Sequence, residues 1–378
     1  MGSNITLYDG TDFVRCTLYH HPFYPYLNSF LAQKPEEMIA NLPESTRCYA
    51  LEVDGELTML VQVATERQKT YTASLLTHYF DYTQDELDLV DAGRWKKPLK
   101  MLLRTMGNFF YRLRLDDALY VGNFLLSTNL QPKWSPEQLR LIHQFVVGRF
   151  KAQRIIYRSL NDYSHGEQMA TLSSMGYRRI FSRQIFVADK LYQTKKKHKS
   201  VVGDFHLMAN TPLTIRQIRQ DVDDYSLRLK QQYDRLYLDK YSAYNPQFTQ
   251  RYFSQMVGSG AVELFGIFDD RLLVGFSGIF SGRGVMTTPL IGYDFSYPKE
   301  AGLYRIISAI TLLKVDERKV LNMSSGAGAY KMHRGAKVHL EYSYYFDRRA
   351  SCLSRYAFRL FAALVNLLGE KFGKERIF

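Results

Sequence analysis

Residues 285–324, VMTTPLIGYDFSYPKEAGLYRIISAITLLKVDERKVLNMS, place two apolar segments on either side of a helical pattern. VMTTPLIGYDF (285–295) and VLNMS (320–324) have the composition and length of buried strands. Between them, GLYRIISAITLLKVDERK (302–319) carries apolar residues at helical spacing. Consecutive strands joined by a helix in one sheet run parallel. The stretch therefore predicts a strand–helix–strand crossover in a mixed α/β sheet.

The crossover follows a hairpin pattern, and the other half of the chain repeats that order. YALEVDGELTMLVQVATE (49–66) reads as two strands around Asp54-Gly55, which is a strong hairpin signal. VELFGIFDDRLLVGFSGIFS (262–281) reads the same way around Asp269. We infer a duplication, with one mixed sheet and its covering helices predicted in each half.

The rest of each half keeps the same order. The first-half crossover is DALYVGNFLLS (117–127), SPEQLRLIHQFVVGRFKAQ (135–153) and RIIYRSL (154–160). Each half then closes with a glycine and a long aromatic strand, namely Gly176 before YRRIFSRQIFVAD (177–189) and Gly335 before AKVHLEYSYYFDRR (336–349).

Helix start signals support these assignments. Ser135-Pro136 followed by Gln138 predicts an N-cap, a proline in the first turn and a capping box. Asn245-Pro246 predicts the start of a second helix, PQFTQRYFSQMV, in the same manner.

Charge is distributed unevenly over the predicted domains. The net charge of +13 divides into +2 for residues 1–190 and +11 for residues 191–378. The second half therefore carries the attraction for anions, such as phosphorylated cofactors, nucleic acid or acidic lipid. We predict a first domain over 1–190, a basic linker over 191–204, a second domain over 205–350 and an amphipathic helix over 351–378.

Common catalytic motifs are absent from the chain. GAGAYK (326–331) fits neither the P-loop nor the dinucleotide fingerprint, because Lys331 stands where a third glycine is needed. The nine histidines contain no H-x-x-x-H pair, and the three cysteines are widely spaced, so no metal is expected. No G-x-S-x-G nucleophile elbow is present.

The order of elements resembles the GNAT acetyltransferase fold. In the second half, GAGAYKMHRGA (326–336) is similar to the CelD-like acetyltransferases and the Fem family of peptidoglycan aminoacyltransferases. In that branch the strand after the central helix ends in small residues, a Tyr-Lys pair and a basic turn. The resemblance covers about residues 205–350; over 1–190 it rests on element order alone. It implies a tandem GNAT protein whose first half is a degenerate scaffold.

The resemblance implies an acyl-transfer site in the second half. Acyl transfer to an amine needs stabilisation of the oxyanion and a proton for the leaving group. The fold implies a backbone amide near 291–294 for the oxyanion. We expect Lys331 to stabilise the transition state or a donor phosphate, Tyr330 to act as the acid, and Tyr304 to be the second candidate. Simple turn geometry and packing are the alternatives for Tyr330 and Lys331.

Donor and acceptor contacts are predicted at four further places. Lys299, Gly302 and Leu303 lie at a turn where a helix N-terminus can bind a phosphate. Gly326 and Gly328 are first explained by the geometry of a tight turn, and they also allow a ligand to approach the backbone closely. The GNAT pattern [QR]-x-x-G-x-[GA] has Tyr304 in place of its second small residue here, which leaves the donor open. Arg283 and Asp294 are the candidate acceptor contacts.

The predicted function is N-acyl transfer from acyl-CoA or an acyl-carrier protein to a small amine. One alternative is aminoacyl transfer from tRNA of the Fem type; another is a non-catalytic, degenerate GNAT pair. The first residues lack a secretory pattern and the apolar runs are interrupted by charge, so a cytoplasmic protein without a membrane-spanning helix is expected. The tail (352–378) predicts a docked helix or a peripheral membrane contact. Tyr233, Tyr237 and Tyr241 predict a core stripe rather than a base-stacking surface.

Overall fold

The computed structural model describes residues 4–67, 69–89, 93–189, 199–316 and 318–375. Its strands are Ile5–Tyr8 (β1), Arg47–Val53 (β2), Glu56–Val63 (β3), Ala118–Val121 (β4), Arg154–Asn161 (β5), Arg178–Ala188 (β6), Thr214–Ile218 (β7), Glu263–Asp269 (β8), Leu272–Ser281 (β9), Val285–Tyr293 (β10), Val320–Asn322 (β11) and Lys337–Asp347 (β12). Its α-helices are Tyr24–Leu31 (α1), Pro35–Met38 (α2), Tyr82–Leu89 (α3), Lys96–Arg112 (α4), Pro136–Arg149 (α5), Gly166–Ser174 (α6), Lys199–Asn210 (α7), Val222–Asp234 (α8), Gln250–Gly258 (α9), Leu303–Leu312 (α10), Gly328–Met332 (α11) and Cys352–Glu375 (α12).

All described strands belong to one 12-stranded sheet, in the order β1-β2-β3-β4-β5-β12-β6-β11-β10-β9-β8-β7. The crossovers β4–α5–β5 and β10–α10–β11 form parallel strand pairs, and the hairpins are antiparallel. The predicted mixed α/β class with tandem GNAT-like halves is confirmed. The two expected sheets join at their edges into one.

The joining occurs by exchange of the closing strands. β12, from the end of the chain, lies between β5 and β6 of the first half. β6 in turn pairs with β11 of the second half. Each half therefore completes its sheet with the last strand of the other half. The resulting order β5-β12-β6-β11 is symmetric about the β12–β6 pair.

The turn and capping predictions are confirmed at two positions and wrong at one. Asp54 and Gly55 have φ of 50° and 81°, as a tight hairpin turn requires. Ser135 and Gln138 form a reciprocal capping box. Asn245 does not cap α9, whose N-cap is Thr249. The Asn245 amide instead donates to the carbonyls of the preceding loop, which removes it from the helix.

Two further predicted segments have a partial outcome. Residues 191–198 of the predicted linker lie outside the described residues, and residues 199–204 form the first part of α7. Of the predicted tyrosine stripe, Tyr233 is buried and Tyr237 packs against the core, whereas Tyr241 is 42% exposed.

Aromatic side chains from both halves pack together in one core on one face of the sheet. Phe23 and Phe124 come from the first half and Phe280 from the second, and their ring centroids lie 4.7–5.7 Å apart. Aromatic groups of this size contribute both buried area and geometric specificity. The two GNAT-like halves are thus held by a continuous sheet and by a common core.

The C-terminal helix α12 packs one face against β6. Phe358 is fully buried, and the side chain of Asn366 bonds to the backbone of Phe181 and Arg179. Contrary to the expectation from the interrupted apolar runs, Cys352–Lys371 is long and apolar enough to cross a membrane, as judged by length and composition. It is the one helix among the described residues that meets this criterion.

Candidate active site

The parallel strands β10 and β11 separate at the centre of the second half. They pair only through Val285–Thr287 and Val320–Asn322. An irregularity in β10 follows at Thr287–Leu290, where Pro289 has no amide hydrogen to donate. Within the described residues no strand pairs with Thr288–Tyr293 on that side. A gap therefore opens between the strands at the carboxyl ends of a parallel pair, which is where open α/β sheets bind ligands.

Backbone donors of β10 line one wall of this gap. The Asp294 amide donates to the Val274 carbonyl of β9 at 2.8 Å. Because successive amides of a strand point to opposite edges, the N–H groups of Ile291 and Tyr293 point away from β9 and into the gap. These are the positions at which sequence analysis placed the oxyanion donor.

The loop after β11 forms the other wall and is held by Lys331. Ser324, Gly326 and Ala327 all have left-handed φ, of 60°, 77° and 50°. The Lys331 ammonium donates to the carbonyls of Met323 at 2.6 Å and Ser325 at 2.8 Å, and contacts that of Ser324 at 3.4 Å. Its donors are thus directed at the loop backbone, which gives this side chain a structural part in the wall.

Burial also changes the titration of Lys331. The side chain is 6% exposed, and burial, with a smaller contribution from Arg183, lowers the pKa of Lys331 to about 7. Desolvation disfavours an ammonium that carbonyl dipoles only partly compensate.

Tyr304 and Tyr330 meet at the mouth of the gap. Their ring centroids are 5.0 Å apart, and the Tyr304 ring also lies 6.1 Å from Tyr293 at the end of β10. The Tyr330 hydroxyl donates to Ser308 Oγ at 3.0 Å. Burial is the first cause that raises the pKa of both Tyr304 and Tyr330, so both phenols are protonated at neutral pH.

A buried carboxylate that sequence analysis missed supports Tyr330. Asp204 of α7 is fully buried and accepts from Arg305 Nε and from Arg334 Nε, each at 2.6 Å. The Arg334 guanidinium lies 3.4 Å from the centroid of the Tyr330 ring. Asp204 fell within the predicted linker; the signal that could have found it is a single carboxylate inside the apolar pattern VVGDFHLMA (201–209).

Arg183 is a second missed residue, and the strand exchange brings it to this loop. On β6, Arg183 donates from Nε to Glu341 at 2.9 Å, and its Nη1 lies 3.5 Å from Ser325 Oγ. Arg183 also donates to Thr128 Oγ1 of the first half at 3.1 Å. No local pattern could place a first-half arginine at a second-half loop.

The predicted phosphate turn has mixed features. Gly302 has φ of 62° and is the N-cap of α10, as expected for a tight turn before a helix N-terminus. Lys299 is exposed and Leu303 is buried. A Cβ at Gly302 would lie 2.7 Å from Leu207, so α7 crowds this helix end from one side. Of the other two predicted glycines, Gly326 faces open space and Gly328 is buried at the start of α11.

Of the two predicted acceptor contacts, only Asp294 lies near the gap. It follows β10 directly and bonds to Arg228 Nη2 at 2.6 Å. Arg283 precedes β10 and forms an ion pair with Glu56 of the first half. Arg283 is at the opposite end of the strand from the gap, so the structure does not place it with Tyr304 and Asp294.

A cavity of about 430 Å³ adjoins Asp294 between α8 and the end of β10. Gln232 and Asp234 line it, and among the described residues Gln232 Oε1 and Asp234 Oδ1 have no hydrogen-bond partner. Burial raises the pKa of Asp234, against the opposing effect of Lys230. These two acceptors are therefore able to accept hydrogen bonds from a group that enters the cavity.

The corresponding gap of the first half is closed. β4 and β5 pair over Ala118–Val121 and then separate. The Gln131 amide lies in that space and donates to Val121 O at 3.2 Å, Gly122 O at 2.9 Å and Arg158 O at 3.0 Å. Gln131 thus bridges the two separating strands.

No group of His, Cys, Asp and Glu in the described parts of the chain could hold a metal ion.

No protein-family model matches the chain, and no curated protein gives a significant match. Its described geometry is that of a tandem GNAT-fold protein. Among solved structures, FemX is similar over 96% of this chain and 100% of its own, with 8% identity and a TM-score of 0.53. At that identity the likeness shows the fold.

Two more distant structures are also similar. One is L-PGS from Bacillus licheniformis, with 15% identity over 66% of this chain and 83% of its own, and a TM-score of 0.43. The other is a tandem GNAT protein from the clavulanic acid biosynthesis pathway, with 9% identity over 93% of this chain and 100% of its own, and a TM-score of 0.39.

Proposed function

We propose that the protein is an acyltransferase that moves an acyl group from a thioester or ester donor to an amine, at the gap between β10 and β11. The observation that carries the proposal is the free backbone edge of β10, whose Ile291 and Tyr293 amides point into the gap. Fixed amides in a water-poor cleft stabilise a developing oxyanion because they need no reorganisation during the reaction.

The proposed reaction has two steps. The neutral amine attacks the acyl carbonyl carbon, so that an N–C bond forms and the carbonyl electron pair moves to oxygen. The oxyanion accepts from the Ile291 or Tyr293 amide. It then collapses, the bond from carbon to sulfur or ester oxygen breaks, and the leaving group receives a proton.

Tyr304 is the proposed source of that proton. Its ring lies between the end of β10 and Tyr330, at the mouth of the gap. Because burial raises the pKa of Tyr304, its phenol holds a proton that it can lend to the leaving group and regain from the attacking amine. Tyr330 already donates to Ser308, so we assign it to packing beside Tyr304.

Lys331 is proposed as a positioning residue. Its ammonium binds the carbonyls of the loop at Met323 and Ser325, so it holds the second wall of the gap. Removal of those contacts is expected to lower turnover through the shape of the wall.

The phosphate-bearing part of the donor is proposed to lie near the start of α10. Lys299 is exposed there, and the Arg305 side chain is 46% exposed even though it bonds to Asp204. Acyl-CoA and aminoacyl-tRNA both carry phosphates in addition to an activated acyl group, so both donors are tested.

The acceptor amine is proposed to approach through the cavity beside Asp294. An ammonium is rich in donors, and Gln232 Oε1 and Asp234 Oδ1 are unpaired acceptors. The amine must lose its proton before it attacks, and the raised pKa of Asp234 makes that carboxylate a better proton acceptor than an exposed one.

The test is turnover of an acyl-CoA panel and of aminoacyl-tRNA with a panel of primary amines. Thiol release and amide product are measured for the first donor, and amide product for the second. Tyr304→Phe is expected to reduce turnover on the order of a hundredfold. Tyr163→Phe, a partly exposed first-half tyrosine, is the matched control and should match the wild type. Binding of a donor without product from either would instead support the non-catalytic alternative.

A further inference from the structure

The outer face of α12 is apolar although it faces solvent. The side chains on it are Leu353, Tyr356, Leu360, Leu364 and Leu367, which we call the leucine face. Leu360 is 75% exposed and Leu367 is 68% exposed. The spacing of three and four residues places them on one stripe, opposite buried Phe358 and Ala362. An exposed apolar patch of this kind marks an interaction site in soluble proteins.

A second stripe continues the leucine face along α4 and the two residues that cap it, Trp95 and Leu113. Trp95, Leu102 and Phe109 are exposed and recur every seven residues. Leu113 belongs to the same stripe, and its carbonyl accepts from Ser354 of α12 at 3.3 Å. The two helices therefore meet along that edge.

Ring packing confirms this adjacency. Phe110 of α4 lies 5.4 Å from Phe361 and 6.1 Å from Phe358 of α12. The exposed apolar residues of both helices thus form one surface rather than two separate patches.

Positive charges outnumber negative ones beside this surface. No acidic residue occurs in α4. The basic residues of α12, of α4 and of its flanking residues include Arg94, Lys97, Arg112, Arg355, Arg359 and Lys371. Lys96 and Lys100 are also basic, but both are paired with Asp88. Glu370 is the acidic exception among the described side chains of α12, and it is paired with Arg179 and Tyr342. A basic rim around an apolar face is the pattern of helices that lie on anionic membranes.

We propose that α4 and α12 together form a docking surface for an anionic lipid bilayer. The leucine face and Trp95 enter the boundary between headgroups and acyl chains, while the basic rim contacts the lipid phosphates. This inference does not depend on the proposed acyl transfer.

The packing of α12 favours a helix lying on the bilayer rather than across it. Asn366 bonds to the Phe181 amide at 2.6 Å, and Tyr342 donates to Glu370 at 3.0 Å. Gly369 has no room for a Cβ because Phe181 would lie 2.1 Å from it. A spanning orientation would break these contacts and place Glu370 in hydrocarbon, at high cost.

Charge also favours a bilayer over a second copy of the chain. A symmetric dimer through this face would bring the same basic rim of each copy against the other. Such like charges repel, whereas anionic lipid neutralises them.

The experiment is co-sedimentation with vesicles of phosphatidylcholine alone and of equal parts phosphatidylcholine and phosphatidylglycerol. The wild type should bind the mixed vesicles and release them as salt rises. Leu360→Glu/Leu367→Glu should weaken binding by about tenfold or more, because two apolar side chains that would move from water into the bilayer are replaced by charged ones. Leu227→Glu/Leu272→Glu, which alters two exposed leucines of the second half, is the matched control and should bind as the wild type does.

Trp95 gives an independent measurement of the part played by α4. It is 61% exposed, whereas Trp134 is buried and is replaced in a Trp134→Phe background. Mixed vesicles should shift Trp95 emission to shorter wavelength, and brominated acyl chains should quench it. Equal binding by both double variants, no Trp95 quenching on bound vesicles, or a dimer that the leucine-face variant dissociates without lipid would each overturn the proposal.

Discussion

The two halves repeat one order of elements, but the gap between the parallel strands is closed in the first half and open in the second. In the first half Gln131 bridges β4 and β5 with one amide that reaches three carbonyls. In the second half β10 extends past its last pair with β11, and its edge amides are free to meet a ligand. In the first half a single side chain thus occupies the space that stays open in the second half.

The difference suggests how a duplicated fold divides its tasks. The closed half still supplies β6 and Arg183, which reach the loop at Ser325. Because the closing strands are exchanged, neither half has a complete sheet without the other. We infer that the first half was retained because it supplies β6 to the sheet of the second half, and that the chemistry is confined to the open gap.

The sharpest way to test this division is to remove one edge amide of the open gap. Ile291→Pro deletes an N–H that has no strand partner, so the sheet should tolerate it as an edge position does. Turnover should fall on the order of a hundredfold because an oxyanion donor is lost. Ile291→Val keeps the amide and should behave as the wild type. A folded Ile291→Pro variant with unchanged turnover would remove the assignment of this amide.

At the closed gap we expect a substitution to lower stability and to leave turnover unchanged. Gln131→Ala leaves three buried carbonyls without their donor, so the free energy of unfolding should fall by about 2–4 kcal/mol. Turnover measured below the unfolding transition should stay unchanged. Denaturant unfolding and steady-state kinetics on the same preparation measure both. A loss of turnover without a loss of stability would show that the first gap takes part in the chemistry.

The contrast between the gaps also indicates what sequence can and cannot predict. The hairpin at Asp54-Gly55 and the crossover over 285–324 follow from local periodicity and turn chemistry, and both were predicted. The exchange of β6 and β12 was not, because exchanged and unexchanged strands have the same alternation of side chains. Gln131, Asp204 and Arg183 act across distances that no spacing rule encodes. Tyr304 and the oxyanion strand were reached through the resemblance.

An effect on stability alone is expected from pH at Lys331. The pKa of Lys331 is lowered from 10.5 to about 7 in the folded chain. Between those values the unfolded chain binds more protons than the folded one, so this residue makes stability rise with pH. The difference in unfolding free energy between wild type and Lys331→Met should therefore shift in favour of the wild type from about pH 7 to about pH 10. Urea titrations across that window measure it, and a flat difference would show that the pKa of Lys331 is not lowered in the folded chain.

The smallest effect is expected at Arg283, at the closed end of β10. Its ion pair with Glu56 joins the two halves, but its side chain is 61% exposed, and pairs of that kind contribute about 0–1 kcal/mol. Arg283→Ala should leave turnover and acceptor KM within about twofold of the wild type, because the side chain is remote from the gap. Asp294→Asn, at the open end of the same strand, is the matched comparison and should raise acceptor KM by weakening the contact with Arg228 beside the cavity. If Arg283→Ala raised KM and Asp294→Asn did not, the acceptor would enter from the other end of β10, and the open gap would no longer be the site that distinguishes the halves.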